Sequence, residues 1–261
     1  MSRKHKIEKL IAQSRDSSIP IQCAAIADLQ EMEAKEALPV FVELLKSPSA
    51  DVRANAVYSV GEMADTEIGI HIVKLLCDSD ALVRVNAIEA LGLLGYVDGL
   101  SPIIQVLKSD IDPLVRIQAA ETLGVLGNVE ALSTLVDALN DSHDHVRAYA
   151  ADSIGRLQAK EALPVLQRKL VMEQSHFTKA FILSAMYRLG DEKALTQLFD
   201  LAGIADDTVS VTILNLIVDS AVVRDVSRIK KKMNNFSQSK PALVFEIQSL
   251  LKRIDSVSNE K

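Results

Sequence analysis

Few side chains in this chain are placed for chemistry, and each carries a competing explanation. His143 and His145 flank Asp144. Two imidazoles and a carboxylate are donor types of a zinc-class site. The same three residues also make an ordinary polar turn in which Asp144 caps the next helix, and the sequence favours the turn, with no metal. Cys23 and Cys77 are the only thiols, too few for a disulfide framework or a four-thiolate site. Neither has a His at a spacing that would activate it as a nucleophile. Cys77 is expected to be buried at a helix end, and Cys23 to be partly exposed. None of His5, His71, His143, His145 and His176 is followed by Glu, so the zinc-protease pair is absent. The pairs Gly92–Gly95 and Gly124–Gly127 fall inside helical patterns rather than between a strand and a helix, which excludes a phosphate cradle. No catalytic residue and no cofactor follows from these groups.

The charged residues that do recur keep a period. Val-Arg stands at Val52-Arg53, Val83-Arg84, Val115-Arg116 and Val146-Arg147, the arginines being 31, 32 and 31 residues apart. Three residues after each Arg comes Ala (Ala56, Ala87, Ala119, Ala150) and eight after comes Gly (Gly61, Gly92, Gly124, Gly155). Six before stands Asp16, Ser47, Asp78, Asp110 or Asp141, with Gln22 in the Arg place of the first copy. Lys-Glu-Ala-Leu-Pro-Val occurs at Lys35–Val40 and again at Lys160–Val165. Identical placement in successive copies points to structure: an Asp–Arg hydrogen-bonded ladder tying one inter-helix turn to the next. Asp in the turn can also cap a helix. A mid-helix Gly costs about 1 kcal/mol against Ala, so close approach of a neighbouring helix is expected to compensate.

These rows require helices to hold them. Val83, Ala87, Ile88, Leu91 and Leu94 follow helical spacing, as do Val115, Ala119, Ala120, Leu123 and Leu126. A second apolar-periodic segment precedes each Arg, at Ala37–Leu45, Leu100–Leu107 and Ala131–Leu139. Pro39, Pro102 and Pro164 fall near the starts of such segments, where proline is tolerated. Each unit is therefore a helix A, a short turn and a helix B. Eight pairs are predicted, from Lys4–Arg15 with Ile19–Glu31 to Ala221–Met233 with Pro241–Ile254. The fold expected is an all-α solenoid, since one pair cannot offset its own ordering entropy and must stack. Residues 1–46 are a degenerate N-terminal repeat and cap, 47–170 regular repeats, and 171–261 degenerate C-terminal repeats and cap. Asn234–Lys240 is expected to be loose, and Ser256–Lys261 a frayed tail.

The Asp-(five residues)-Arg spacing, Val-Arg-x-x-Ala, Leu-Gly-x-Leu-Gly and the short period resemble HEAT repeats. More narrowly, over Ser47–Leu170, they resemble the short HEAT-like repeats of phycobilisome lyase subunits. The ankyrin signature Thr-Pro-Leu-His is missing. Lack of a His-Glu pair removes the metal site of HEAT-repeat deoxyhypusine hydroxylases. The resemblance implies that B helices line a concave surface. It also implies a second function class, that of a heterodimeric lyase subunit attaching or removing bilin at a phycobiliprotein cysteine, with phycobilin as the only cofactor in view.

On a B helix, positions two, five, six and nine after the Arg lie opposite the apolar stripe. They form an amide row (Asn55, Asn86, Gln118, then Tyr149), an acidic row (Tyr58, then Glu89, Glu121, Asp152) and a mixed row (Glu62, Leu93, Val125, Arg156). Apolar and tyrosyl side chains at solvent-facing positions point to a protein partner. The 261 residues carry a net charge of −6. Residues 1–10 hold +3 and 221–261 hold +5, which leaves −14 for the middle. That middle suits a partner with a basic or amide-rich surface and argues against nucleic acid. The Lys230-Lys231-Lys232 run is expected at a solvated helix end. No apolar run is long enough to span a bilayer, and Met1–Gln13 lacks the apolar core of a secretory signal. The function expected is a non-enzymatic, cytoplasmic protein-binding scaffold or adaptor, its oligomeric state left open.

Overall fold

The computed structural model describes residues 2–63, 66–221 and 225–259. Among the described residues sixteen α-helices pair as the period requires, and no strand occurs. The pairs are α1 (Arg3–Gln13) with α2 (Ile19–Glu31), α3 (Leu38–Leu44) with α4 (Ala50–Glu62), α5 (Gly69–Ile72) with α6 (Ala81–Leu93), and α7 (Leu100–Ser109) with α8 (Pro113–Leu126). Then come α9 (Leu132–Ala138) with α10 (Asp144–Arg156), α11 (Leu163–Met172) with α12 (His176–Arg188), α13 (Glu192–Ile204) with α14 (Asp207–Asp219), and α15 (Val226–Ser239) with α16 (Val244–Asn259). This is an α-solenoid. Several A helices open with a 3-10 turn, as at Lys35–Ala37, Val97–Gly99 and Lys160–Ala162. There Pro39 and Pro164 sit in the first α-turn, where a missing N–H costs nothing.

The residues fall into two compact units, Met1–Thr134 and Leu135–Lys261. In the first, α2, α4, α6 and α8 pack in chain order; in the second, α10, α12, α14 and α16 do so. The apolar stripe forms the core of each. Val52, Ala56, Val57 and Val60 are fully buried, as are their equivalents Val83, Ala87, Ile88 and Leu91 in the next repeat.

Five local expectations need correction. Asn234–Lys240 is not a loose loop: all but Lys240 belong to α15, which buries Phe236 beside Met233 and Ile229. The lysine run therefore lies in mid-helix, where Lys230 pairs with Asp255 and Lys232 sits over the Phe199 ring. The tail is helical to Asn259, and residues 260–261 lie outside those described. The predicted start of that last pair at Ala221 runs into residues 222–224, also outside. Gly95 and Gly127 are not inside helices; they end α6 and α8 with φ of +58° and +67°. Beyond Gly95 the Tyr96 N–H reaches the Leu91 carbonyl at 3.0 Å, a left-handed cap that favours glycine. Finally, the turn Asp is not the cap. Asp78 accepts from the Asp80 N–H, and Asp80 in turn caps α6 through the N–H groups of Leu82 and Val83; Asp110 and Asp112 divide the work likewise.

Candidate functional site

The recurrent arginines are structural. Arg53, Arg84, Arg116 and Arg147 each donate Nη1 to the carbonyl six residues back, at 2.8–2.9 Å, and Gln22 reaches the Asp16 carbonyl in the same way. Arg53 also grips both oxygens of Asp78, Arg84 both of Asp110, and Arg147 both of Glu173, at 2.7–2.9 Å. Burial pushes the Asp78 and Glu173 carboxyls up. The Arg53 and Arg147 hydrogen bonds, with backbone N–H groups, outweigh this and hold both below their ordinary values. Glu173 was not in the predicted ladder, although it stands six residues before Lys179.

The glycine row also has its reason. A Cβ on Gly61 would lie 2.8 Å from Ala90 Cβ, one on Gly92 2.8 Å from Thr122 Cγ2, and one on Gly155 2.9 Å from Ala185 Cα. Ala90 and Thr122, six after Arg84 and Arg116, and Ala185, six after Lys179, are thus knobs seated on the glycine of the preceding B helix. This corrects the solvent-facing assignment of that row: Ser59, Ala90, Thr122 and Ser153 are buried. Inside each unit α4, α6, α12 and α14 are flanked by B helices on both sides, so their free face is narrower than a lone helix suggests.

One open stretch of the B-helix face in the first unit lies between α6 and α8. Glu89, Leu93, Gln118, Glu121 and Val125 line one groove of about 220 Å³, floored by Gly92 and Thr122. Leu93 and Val125 are 54% and 55% exposed. Glu89 makes no side-chain hydrogen bond or ion pair among the described residues, and Gln118 donates to Thr122 Oγ1 at 3.3 Å. Tyr58 is exposed on α4. The other amides bind their own fold: Asn55 donates to the Asp51 carbonyl, and Asn86 to the Ala54 carbonyl of the preceding B helix.

In the second unit the predicted row behaves differently. Asp152 is a correction: it is buried, with Arg156 Nε and Arg188 Nη1 each 2.7 Å from its oxygens, and cannot face a partner. Arg188 continues to Ser220, which meets Ser184, and Tyr187 donates to buried Asp225 at 2.7 Å. Arg156 is half exposed on the rim of this network. Tyr149 packs against Phe181, which leads through Phe177 to His145. The degenerate repeats hid Phe177 and Phe181, although Phe181 occupies the same place after Lys179 as Tyr149 after Arg147.

Asp144 is likewise not the predicted cap. His143 holds the cap position of α10 without a side-chain bond. Asp144 Oδ1 accepts from His145 Nδ1 at 2.9 Å, and Oδ2 from Ser175 Oγ at 3.1 Å. The His145 hydrogen bond, helped by Ser175 and opposed by burial, holds the Asp144 carboxyl below the usual range. Cys77 is exposed, not buried. Cys23 is half-buried, and burial and then Asp51 push its thiol pKa up, the wrong direction for a nucleophile at neutral pH. No helix among the described residues is long and apolar enough to cross a membrane.

The profile of HEAT repeats matches residues 7–69, 70–151 and 133–216. A search of curated protein sequences found no match. Among solved structures, the chain is similar to one in the complex of CpcE and CpcF of phycocyanin lyase from Nostoc sp. PCC7120. That match has a TM-score of 0.63 and 17% identity, covering 84% of this chain and 94% of that one. It is similar also to a designed armadillo repeat protein in complex with the peptide (KR)4, with TM-score 0.53, 20% identity, and 70% and 99% covered. A third is a chain of the Kap95p–RanGDP complex, with TM-score 0.59 and 15% identity, covering 98% of this chain and 42% of that one.

Proposed function

The chain belongs to the HEAT-repeat family, and we propose that it is a non-enzymatic cytoplasmic scaffold or adaptor whose B-helix face holds a protein partner. One observation carries this. The groove between α6 and α8 gathers Glu89 and Glu121 beside exposed Leu93 and Val125, with the Gln118 amide between. The Glu89 carboxylate beside the exposed Leu93 and Val125 side chains suits a segment alternating basic with apolar residues, and the Gln118 amide one rich in amides. The apolar pair contributes burial, and the acids contribute encounter rate and register.

The test uses a fluorescein-labelled peptide alternating Lys with Leu and its charge-reversed counterpart with Glu. Fluorescence anisotropy should show binding of the basic peptide that weakens with salt, and none of the acidic one. The double substitution Glu89→Lys and Glu121→Lys should abolish binding while helical circular dichroism stays unchanged. Equal binding of both peptides, or binding that survives the double substitution, would place the partner surface elsewhere.

A second function, that of a bilin lyase-type subunit acting with phycobilin, draws support from the fold shared with the phycocyanin lyase chain over nearly its whole length. Co-expression with a phycobiliprotein and bilin separates the two proposals. A zinc-fluorescent covalent adduct above background favours the lyase subunit, and its absence beside retained peptide binding favours the scaffold.

A further inference from the structure

The geometry points to a divalent transition-metal site of the zinc class formed by His143, Asp144 and His145. It is independent of the groove and of the scaffold function. The three side chains bring one ligand atom each to within 4.8 Å of the others. Asp144 Oδ1 lies 2.9 Å from His145 Nδ1 and 3.8 Å from His143 Nδ1. Two donors on one tetrahedral zinc, each about 2.0–2.1 Å from the metal, stand about 3.3 Å apart. The two separations that involve Asp144 bracket that value, and the His143–His145 pair, within 4.8 Å, closes on the ion by rotation of the two half-exposed rings.

A second observation singles this cluster out from an ordinary polar turn. His143 Nδ1 is shut off from solvent and has no hydrogen-bond partner. A buried, unsatisfied ring nitrogen costs about 1–3 kcal/mol, and no contact on α10 or α12 relieves it. A metal bound between it and Asp144 does. The surroundings already do what a second shell does: Ser175 Oγ fixes the far carboxylate oxygen, and Thr178 Oγ1 holds the Asp144 carbonyl at 2.9 Å. Phe177 stacks on the His145 ring at 4.3 Å, fixing its plane. On binding, the ion takes the place of the hydrogen bond between His145 Nδ1 and Asp144 Oδ1, and the single proton of the neutral imidazole resides on Nε2, where water accepts it. Three protein ligands leave the fourth position to water. Two imidazoles and one carboxylate suit Zn²⁺, Co²⁺, Ni²⁺ or Cu²⁺ over Mg²⁺ or Ca²⁺.

The experiment titrates Co²⁺ into the full, tag-free chain and reads visible d–d absorption, then displaces Co²⁺ with Zn²⁺ and repeats the titration with Zn²⁺ by calorimetry. One equivalent should bind with a four-coordinate spectrum that Zn²⁺ abolishes. His143→Gln should remove stoichiometric binding with unchanged helical circular dichroism, because its Nδ1 bonds nothing in the fold. Ser175→Ala should weaken affinity by about 10-fold, as loss of an outer-shell partner does. Absence of binding by the folded chain overturns the proposal. So does one equivalent that persists in His143→Gln, since the ion would then sit at other residues.

Discussion

Arg84 closes on Asp110 with two hydrogen bonds at once, Nε at 2.7 Å and Nη2 at 2.9 Å, while its Nη1 donates to the Asp78 carbonyl at 2.8 Å. One guanidinium thus joins the turn of its own helix pair to the turn of the next. Both side chains are about nine-tenths buried, so the pair acts as a fixed strut rather than a surface ion pair. Breaking it by removing one partner leaves the other charge stranded.

Arg84→Ala is therefore expected to destabilise the first unit by about 3 kcal/mol, the lower end for a broken buried pair. Arg84→Lys should recover little, since an ammonium cannot bridge two carboxylate oxygens and a carbonyl at once. Urea denaturation followed by circular dichroism measures both. A midpoint unmoved in Arg84→Ala would mean that the ladder is ornamental.

The ladder also sets an acid response. In the folded chain Asp78 and Glu173 ionise below their ordinary values, because the arginine hydrogen bonds outweigh burial. As pH falls the unfolded chain takes up protons first, so stability present above about pH 5 is lost between roughly pH 5 and 2. Asp78→Asn should flatten that acid limb for the first unit and leave the second unchanged. Amide hydrogen exchange on α4 and α12 at pH 3 and 5 separates the two, and an acid limb unaltered by the substitution would assign the loss to other carboxylates.

Much of this was legible because stacking demands the same residue at the same place. The Val-Arg rhythm located eight helix pairs, and the Asp–Arg spacing located the ladder. The failures share one physical cause, which is that a period shows where residues recur and not what flanks them. The row six after each Arg looked free on a lone helix, yet Ala90 and Thr122 are the knobs that Gly61 and Gly92 accommodate. Asp152 kept the acidic row in sequence while Arg188, from a degenerate repeat, took its charge. Glu89, Leu93, Gln118, Glu121 and Val125 did come together, because α6 and α8 are regular neighbours. The convergence of His143, Asp144 and His145 was visible, but the buried, unpartnered ring nitrogen was not.

The glycine row makes a prediction of opposite signs. Gly→Ala in a helix ordinarily stabilises by about 1 kcal/mol. At Gly61 the new methyl would meet the Ala90 backbone at 2.9 Å, so Gly61→Ala should instead cost about 1–3 kcal/mol as α4 and α6 are forced apart. Gly203, in α13, has nothing within 4 Å of its Cβ position, and Gly203→Ala should stabilise. Thermal unfolding of the two variants is the measurement. Stabilisation at both positions would show that B helices are not in the close contact described.

Two non-glycine residues hold the left-handed position that Gly95 and Gly127 hold in other repeats: Glu33 with φ +48° and Gln158 with φ +53°. A left-handed conformation costs an ordinary L-residue roughly 1 kcal/mol that glycine avoids. The exposed Glu33 follows α2, and the Ala34 N–H beyond it already closes on the Leu29 carbonyl at 3.0 Å. Glu33→Gly keeps that cap, removes the strain, and should stabilise by about 0.5–1 kcal/mol. Gln158 offsets part of its strain by donating Nε2 to the Gly155 carbonyl at 3.0 Å, so Gln158→Gly loses a bond as it relieves the backbone. The gain at 158 is therefore expected to be smaller than at 33, and near zero. Urea midpoints of the two single variants decide it: a larger gain at 158, or a loss at 33, would mean that backbone strain does not govern these helix ends.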